Sequence, residues 1–190
     1  AWITAHWGAT EFGEVNRLID ALSARGIRVA AMYRPRFLGP PTVPTQVTAD
    51  GKPVMEHGAE ICYESAAART WGVELGTKIL DRCPGVSEVI LYNPRMLCDC
   101  PACRDAREKD PGARFAAVWR FVSEARETWR AAHPEVLVGV ACPPESELWQ
   151  VGTPTMDVAH PMLSIRDDVD RAGEIAAAVR LREALGERSG

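Results

Sequence analysis

A chain of 190 residues, 46% hydrophobic and 25% charged, has the balance of an ordinary globular protein with enough apolar mass to bury a sizeable core. Its net charge of −4 comes from interspersed signs with no basic stripe, which argues against a nucleic-acid partner. No apolar stretch approaches the roughly 18 residues a membrane-spanning helix needs, and no leader-like segment opens the chain, although one starting at Ala1 can already have lost a leader or an initiator methionine; a soluble protein, cytoplasmic or exported, is expected.

Residues 1–6 read as a short strand. From Thr10, an N-cap type of residue, Phe12, Val15, Leu18, Ile19 and Leu22 keep helical spacing until Gly26 ends the run. Residues 27–33 then read as a buried strand, completing a βαβ unit with parallel strands and a right-handed crossover. Residues 34–60 contain Pro35, Pro40, Pro41 and Pro44 with Gly39, Gly51 and Gly58, so they sustain neither regular period and are expected to be a long loop walling or covering a site.

A second helix is expected over about 64–83, with Trp71, Leu75 and Ile79 on one face, stopped by Pro84-Gly85 before a strand over 88–92. A third amphipathic helix buries Phe115, Val118, Trp119, Val122 and Trp129 and leads to a strand over 136–141. A last strand is expected near 156–163 and a last helix over about 168–185.

Five strands alternating with four helices give an α/β domain without an evident internal boundary, so residues 1–190 are expected to form a single unit. Two architectures fit. One is a (β/α)8-type TIM barrel, compact or incomplete because such barrels usually need about 250 residues; the other is an open doubly wound α/β sheet. A short chain can also complete its barrel by association with a second copy.

Three of the six cysteines, Cys98, Cys100 and Cys103, lie within six residues directly after the third strand. That crowding suits a metal knuckle better than a framework of disulfides. Thiolates match zinc, which takes about four ligands in a tetrahedron, so one ligand must come from elsewhere. In a parallel β/α arrangement it should come from a loop following a strand. Cys62, ending the long loop, ranks first; Cys142, closing the fourth strand, comes next, and His57 is a further candidate. Cys83 finishes a helix, on the opposite side, and reads as buried packing. Cys100-Pro101-Ala102-Cys103 also looks like a thioredoxin-like redox motif, which keeps a redox protein using Cys100 and Cys103 as the competing reading.

The order of these motifs resembles a known group. The run Thr48-Ala49-Asp50-Gly51-Lys52-Pro53-Val54, then Glu60-Ile61-Cys62-Tyr63-Glu64-Ser65, a helix, a strand and the CDCPAC knuckle is similar to glycoside-hydrolase-like barrels with a "DGKP" loop and a CxCxxC knuckle. A similar zinc knuckle with an upstream fourth cysteine occurs in the β-galactosidases of glycoside hydrolase family 42. The resemblance covers roughly residues 27–130. It implies a (β/α)8-type barrel, carbohydrate as ligand, and a structural zinc held by Cys62, Cys98, Cys100 and Cys103. The chain departs from such barrels where an acidic residue often ends the strand before the knuckle, since it reads Leu91-Tyr92-Asn93-Pro94-Arg95 there. Asn93 can hydrogen-bond a sugar hydroxyl but cannot act as nucleophile or general acid.

Glycoside hydrolysis normally uses two carboxyl groups across the scissile bond, at strand C-terminal ends in a barrel. Glu145, past the fourth strand, and Asp157, beside the fifth, are the catalytic candidates, with Glu56 and Glu60 available from the long loop. His6, Trp7, Tyr33, Arg34, Asn93 and Arg95 fall at strand ends, where aromatic faces and hydrogen-bonding groups suit a sugar. A sugar-binding or scaffold domain without catalysis is the alternative within this reading. His160 reads as a structural histidine, and Trp71, Trp119 and Trp129 as packing.

Overall fold

The computed structural model describes residues 2–3, 12–37, 41–55, 58–144, 146–151, 156–162 and 171–185. Five strands, β1 (Trp2–Ile3), β2 (Ala30–Tyr33), β5 (Glu88–Tyr92), β6 (Leu137–Cys142) and β7 (Val158–Pro161), form one sheet, all parallel and in the order β1-β2-β5-β6-β7. Each new strand joins the growing edge and the order never reverses. Right-handed crossovers therefore carry the connecting helices to the same face. A doubly wound sheet reverses its strand order and covers both faces with helices, which this sheet does not do among the described residues. Among the described residues β7 does not pair with β1, so the five strands form an open arc and not a closed barrel.

The connecting helices are α1 (Phe12–Ser23), α2 (Ala66–Arg82), α3 (Pro101–Lys109) and α4 (Ala113–Ala132), with α5 (Arg171–Leu185) following β7. The expected third helix is α4, and α3 precedes it as an additional helix, opened by Pro101 and separated from α4 by the Pro111-Gly112 turn. Ser65 caps α2, its hydroxyl accepting from the Ala68 amide at 3.3 Å.

The core lies between the helices and the sheet. Val89 and Leu91 of β5, Val138, Val140 and Cys142 of β6, and Tyr33 of β2 meet α2 and α4 there. The helices approach closely at Gly72 and Gly76: a Cβ on Gly72 would sit 2.9 Å from the Phe121 ring, and one on Gly76 2.1 Å from that of Trp129. Trp129 Nε1 donates to the Val73 carbonyl at 2.9 Å, so the largest core side chain leaves no polar atom unpaired. Trp119 and Trp129 are buried as expected, and Trp71 stacks on Phe37 with ring centroids 4.2 Å apart.

The described residues between 34 and 60 are more ordered than a loop. Two short strands, β3 (Arg36–Phe37) and β4 (Ala59–Glu60), pair antiparallel, and bridges join Thr45 to Ile61 and Val47 to Pro53. Strands of two residues leave no alternation to read, which is why the prolines and glycines dominated the sequence pattern.

Candidate metal centre and strand-end rim

Four cysteines converge where β5 ends. The Cys62 sulfur lies 3.6 Å from that of Cys98, 3.9 Å from Cys100 and 3.5 Å from Cys103, and all four sulfurs fall within 4.8 Å of one another. A zinc–sulfur distance of about 2.3 Å places tetrahedral ligands about 3.8 Å apart, which these separations match. The four could hold a metal ion, and Cys62 is the upstream member. Cys142 instead points into the helix-side core, 2% exposed, and Cys83 is buried there too, where desolvation pushes its thiol up. His57 lies outside the described residues.

Local sequence explains the convergence. Cys100 precedes α3 and Pro101 occupies its first turn, which places Cys103 on that turn close to the helix N-terminus. The positive end of the helix dipole favours thiolate there. The Asp99 amide donates to the Val47 carbonyl at 2.7 Å, Arg107 donates to the Cys98 carbonyl at 2.5 Å, and the same guanidinium pairs with the Asp99 carboxylate.

Without a cation the sulfurs cannot all ionise. Hydrogen bonds with Cys103 and Cys62 hold the Cys98 thiol far below the usual range, while its bonds with Cys62 and Cys98, and then burial, push Cys103 up. At Cys62 the bond with Cys103 acts downward but is outweighed by that with Cys98, by burial and by neighbouring charge, so its thiol is pushed up as well. A divalent ion removes this conflict by compensating the sulfurs together.

Two buried polar side chains that the sequence reading did not single out for this role tie the long loop to the knuckle. Gln46, 1% exposed, donates to the carbonyls of Ile61 at 3.3 Å and Arg95 at 2.5 Å and accepts from the Leu97 amide at 3.0 Å. Glu60, expected as a spare catalytic carboxylate, accepts from Arg34 at 2.9 and 2.7 Å, from the Tyr63 hydroxyl at 2.8 Å and from the Arg95 amide at 3.0 Å. Burial nonetheless raises its carboxyl above the ordinary value, opposed by Arg34 and the hydrogen bonds.

The other expected site residues divide. Arg34, Asn93 and Arg95 follow β2 and β5; the Arg34 guanidinium and the Arg95 amide bind Glu60, while Asn93 takes a left-handed φ of 41° and its amide donates to the Ala141 carbonyl at 2.6 Å. Tyr33 does not join them. Its ring meets Trp129 edge-on at 5.7 Å and its hydroxyl donates to the Gly72 carbonyl at 2.5 Å, because strand parity turns residue 33 toward the helices. Asp157 was expected at a strand C-terminal end, but it precedes β7 and so lies at the opposite end of the sheet. There it binds Arg126 at 2.8 Å, Arg130 at 3.2 Å and the Val138 amide at 3.0 Å, fastening α4 to the sheet. His6, Trp7, Glu56 and Glu145 lie outside the described residues.

No family model and no curated protein matches this chain. Solved structures do. A β-galactosidase from Bacillus circulans sp. alkalophilus superposes with a TM-score of 0.65 at 12% identity over 95% of this chain and 38% of its own. A β-galactosidase from Rahnella sp. R3 gives 0.58 at 15% identity over 93% and 36%. A glycoside hydrolase family 36 α-galactosidase from Geobacillus stearothermophilus gives 0.57 at 12% identity over 93% and 25%. The chain thus spans under two fifths of the length of these structures, and at such identities the likeness shows a shared fold.

Proposed function

We propose that this chain is a glycoside-hydrolase-like β/α domain that binds a saccharide at the rim where its strands end, with a structural zinc ion holding that rim in shape. The observation that carries the reading is the convergence of Cys62 with Cys98, Cys100 and Cys103 at the end of β5, on a scaffold superposing on β-galactosidases. The five-stranded arc is taken as part of a (β/α)8-type barrel, and a second copy of the chain is a candidate for completing it.

Zinc fits the donor set. Four thiolates close a tetrahedron and leave no position for water, so the ion would stabilise the fold rather than activate a nucleophile. Cys62 would contribute from the loop after β2 and the other three from the loop after β5, making the ion a clasp between them. Arg34, Asn93 and Arg95 offer hydrogen bonds to hydroxyls at this rim, with His6 and Trp7 as further contacts. Glu145 is the carboxylate assigned to a cleavage step.

Metal analysis of the purified chain should find one zinc per chain, and calorimetry should detect saturable binding of methyl β-galactoside or another simple glycoside. Hydrolysis of a chromogenic galactoside that is lost in Glu145→Gln would identify an enzyme. Binding without hydrolysis would identify a sugar-binding domain. A metal-free protein with a Cys100–Cys103 disulfide would overturn the proposal in favour of the redox reading.

A further inference from the structure

The four sulfurs of the knuckle lie together but are unequally reachable. Cys62 is 2% exposed, Cys98 6% and Cys103 8%, whereas Cys100 is half-buried. Cys100 immediately precedes α3, and its side chain makes no capping bond to the amides of the first turn. The cavity that touches Cys98 and Cys103 has about 20 Å³ of room, that of a single water molecule. A reagent larger than water therefore meets the sulfur of Cys100 before the other three.

Cys62 occupies the complementary position. Its sulfur stands close to every other one, 3.5 Å from Cys103, 3.6 Å from Cys98 and 3.9 Å from Cys100. It also comes from a different segment, ahead of α2, while the other three follow β5. An oxidised sulfur at Cys100 thus faces a second thiol carried by another loop.

We propose that Cys100 is a peroxide-oxidation site and Cys62 its resolving thiol, so that oxidation replaces a metal clasp between the two loops by a covalent one. In the first step the Cys100 thiolate attacks one oxygen of hydrogen peroxide: an S–O bond forms, the O–O bond breaks, and the departing hydroxide takes a proton from solvent and leaves as water. In the second the Cys62 thiolate attacks the sulfur of the Cys100 sulfenic acid: an S–S bond forms, the S–O bond breaks, and hydroxide again leaves as water after protonation. Two thiolates have lost two electrons, and one peroxide has become two waters. Cys98 and Cys103 are then too few to close a tetrahedron, so a divalent ion held there is lost. The loss of the ion rests on the zinc reading above; the sulfur chemistry does not. Cys62 and Cys100 belong to the same two loops that the ion joins, which keeps those loops fastened after it has gone.

The test treats the full, metal-loaded chain with graded hydrogen peroxide, follows zinc release with a chromogenic chelator, traps sulfenic acid with dimedone, and maps unreduced peptides by mass spectrometry. The expected results are dimedone on Cys100, a peptide pair linked Cys62–Cys100 that grows in step with zinc release, and restoration of the starting state by dithiothreitol and zinc. In Cys62→Ser, which lacks the resolving thiol, the Cys100 adduct should rise about tenfold. The wild-type peptide map depends on no variant folding and decides the proposal by itself. Dimedone on Cys98 or Cys103 in place of Cys100, a Cys100–Cys103 link in place of Cys62–Cys100, or thiols untouched by peroxide that oxidises the same chain in urea would each overturn it. A purified chain without zinc overturns the function proposed above instead, and the same map of that metal-free chain still decides the sulfur chemistry.

Discussion

Buffering free zinc over several decades while recording the melting temperature tests the clasp quantitatively. An ion that binds only the folded state adds RT ln(1 + [Zn]/Kd), so each tenfold rise above Kd contributes about 1.4 kcal/mol. A chain of 190 residues melts with an entropy of about 0.4 kcal/mol/K, which converts that increment into about 3.5 °C per decade of zinc. Cys62→Ala breaks the tetrahedron and should move the rising part of the curve to free zinc roughly a hundredfold higher or beyond. Cys142→Ala should lower the curve as a whole, through lost packing in the helix-side core, without displacing it along the zinc axis. The assay is thermal denaturation by circular dichroism in chelator-buffered metal. A melting temperature indifferent to zinc, or a displacement produced by Cys142→Ala and not by Cys62→Ala, would refute the assigned ligand set.

Gln46→Leu should destabilise by about 3 kcal/mol in urea titrations, since it strands the Ile61 and Arg95 carbonyls and the Leu97 amide in a buried place. It should also weaken zinc binding, because residues 95–97 lead directly into the knuckle. Gly76→Ala should cost about 3 kcal/mol by urea denaturation, as the new methyl would lie 2.1 Å from the Trp129 ring. Glu60 predicts a pH dependence. Its raised carboxyl pKa means the folded protein holds that proton more tightly than the unfolded chain, so its contribution is greatest below the usual 4.5 and declines as pH climbs through the raised value. The melting temperature of the wild type minus that of Glu60→Gln should therefore shrink as pH rises above the usual 4.5; a widening difference would show that Arg34 outweighs desolvation.

The sheet strands and most helices were legible because each carries a strong local pattern. The apolar run Glu88–Tyr92 and the i, i+4 face of Trp71, Leu75 and Ile79 needed no tertiary information. The knuckle was legible for a similar reason, since three of its four cysteines lie within six residues. Its partner was ambiguous in sequence because Cys62 and Cys142 both follow strands, and only side-chain direction separates them. Direction also misplaced Tyr33, whose strand-end position was readable while its facing was not, and Asp157 was misplaced because the strand expected near 156–163, observed at Val158–Pro161, has residue 157 at its start and not at its C-terminal end. Gln46 and Glu60 act through partners up to 51 residues away, beyond the reach of any periodicity.

The turn between Val47 and Pro53 projects from this fastened rim. Its Thr48 amide donates to the Lys52 carbonyl at 2.8 Å, Gly51 takes a φ of 78°, and Asp50 and Lys52 pair in solvent, while Val47 on one side and Val54 on the other are pinned to Asp99 and Gln46. Val47 also packs against the cluster of Cys62, Cys98 and Cys103, so the base of the turn is in direct contact with the sulfur-bearing residues. A fluorophore spliced beside Gly51 would therefore sit in solvent one short turn away from the cysteine cluster, as a reporter of whether those residues hold together.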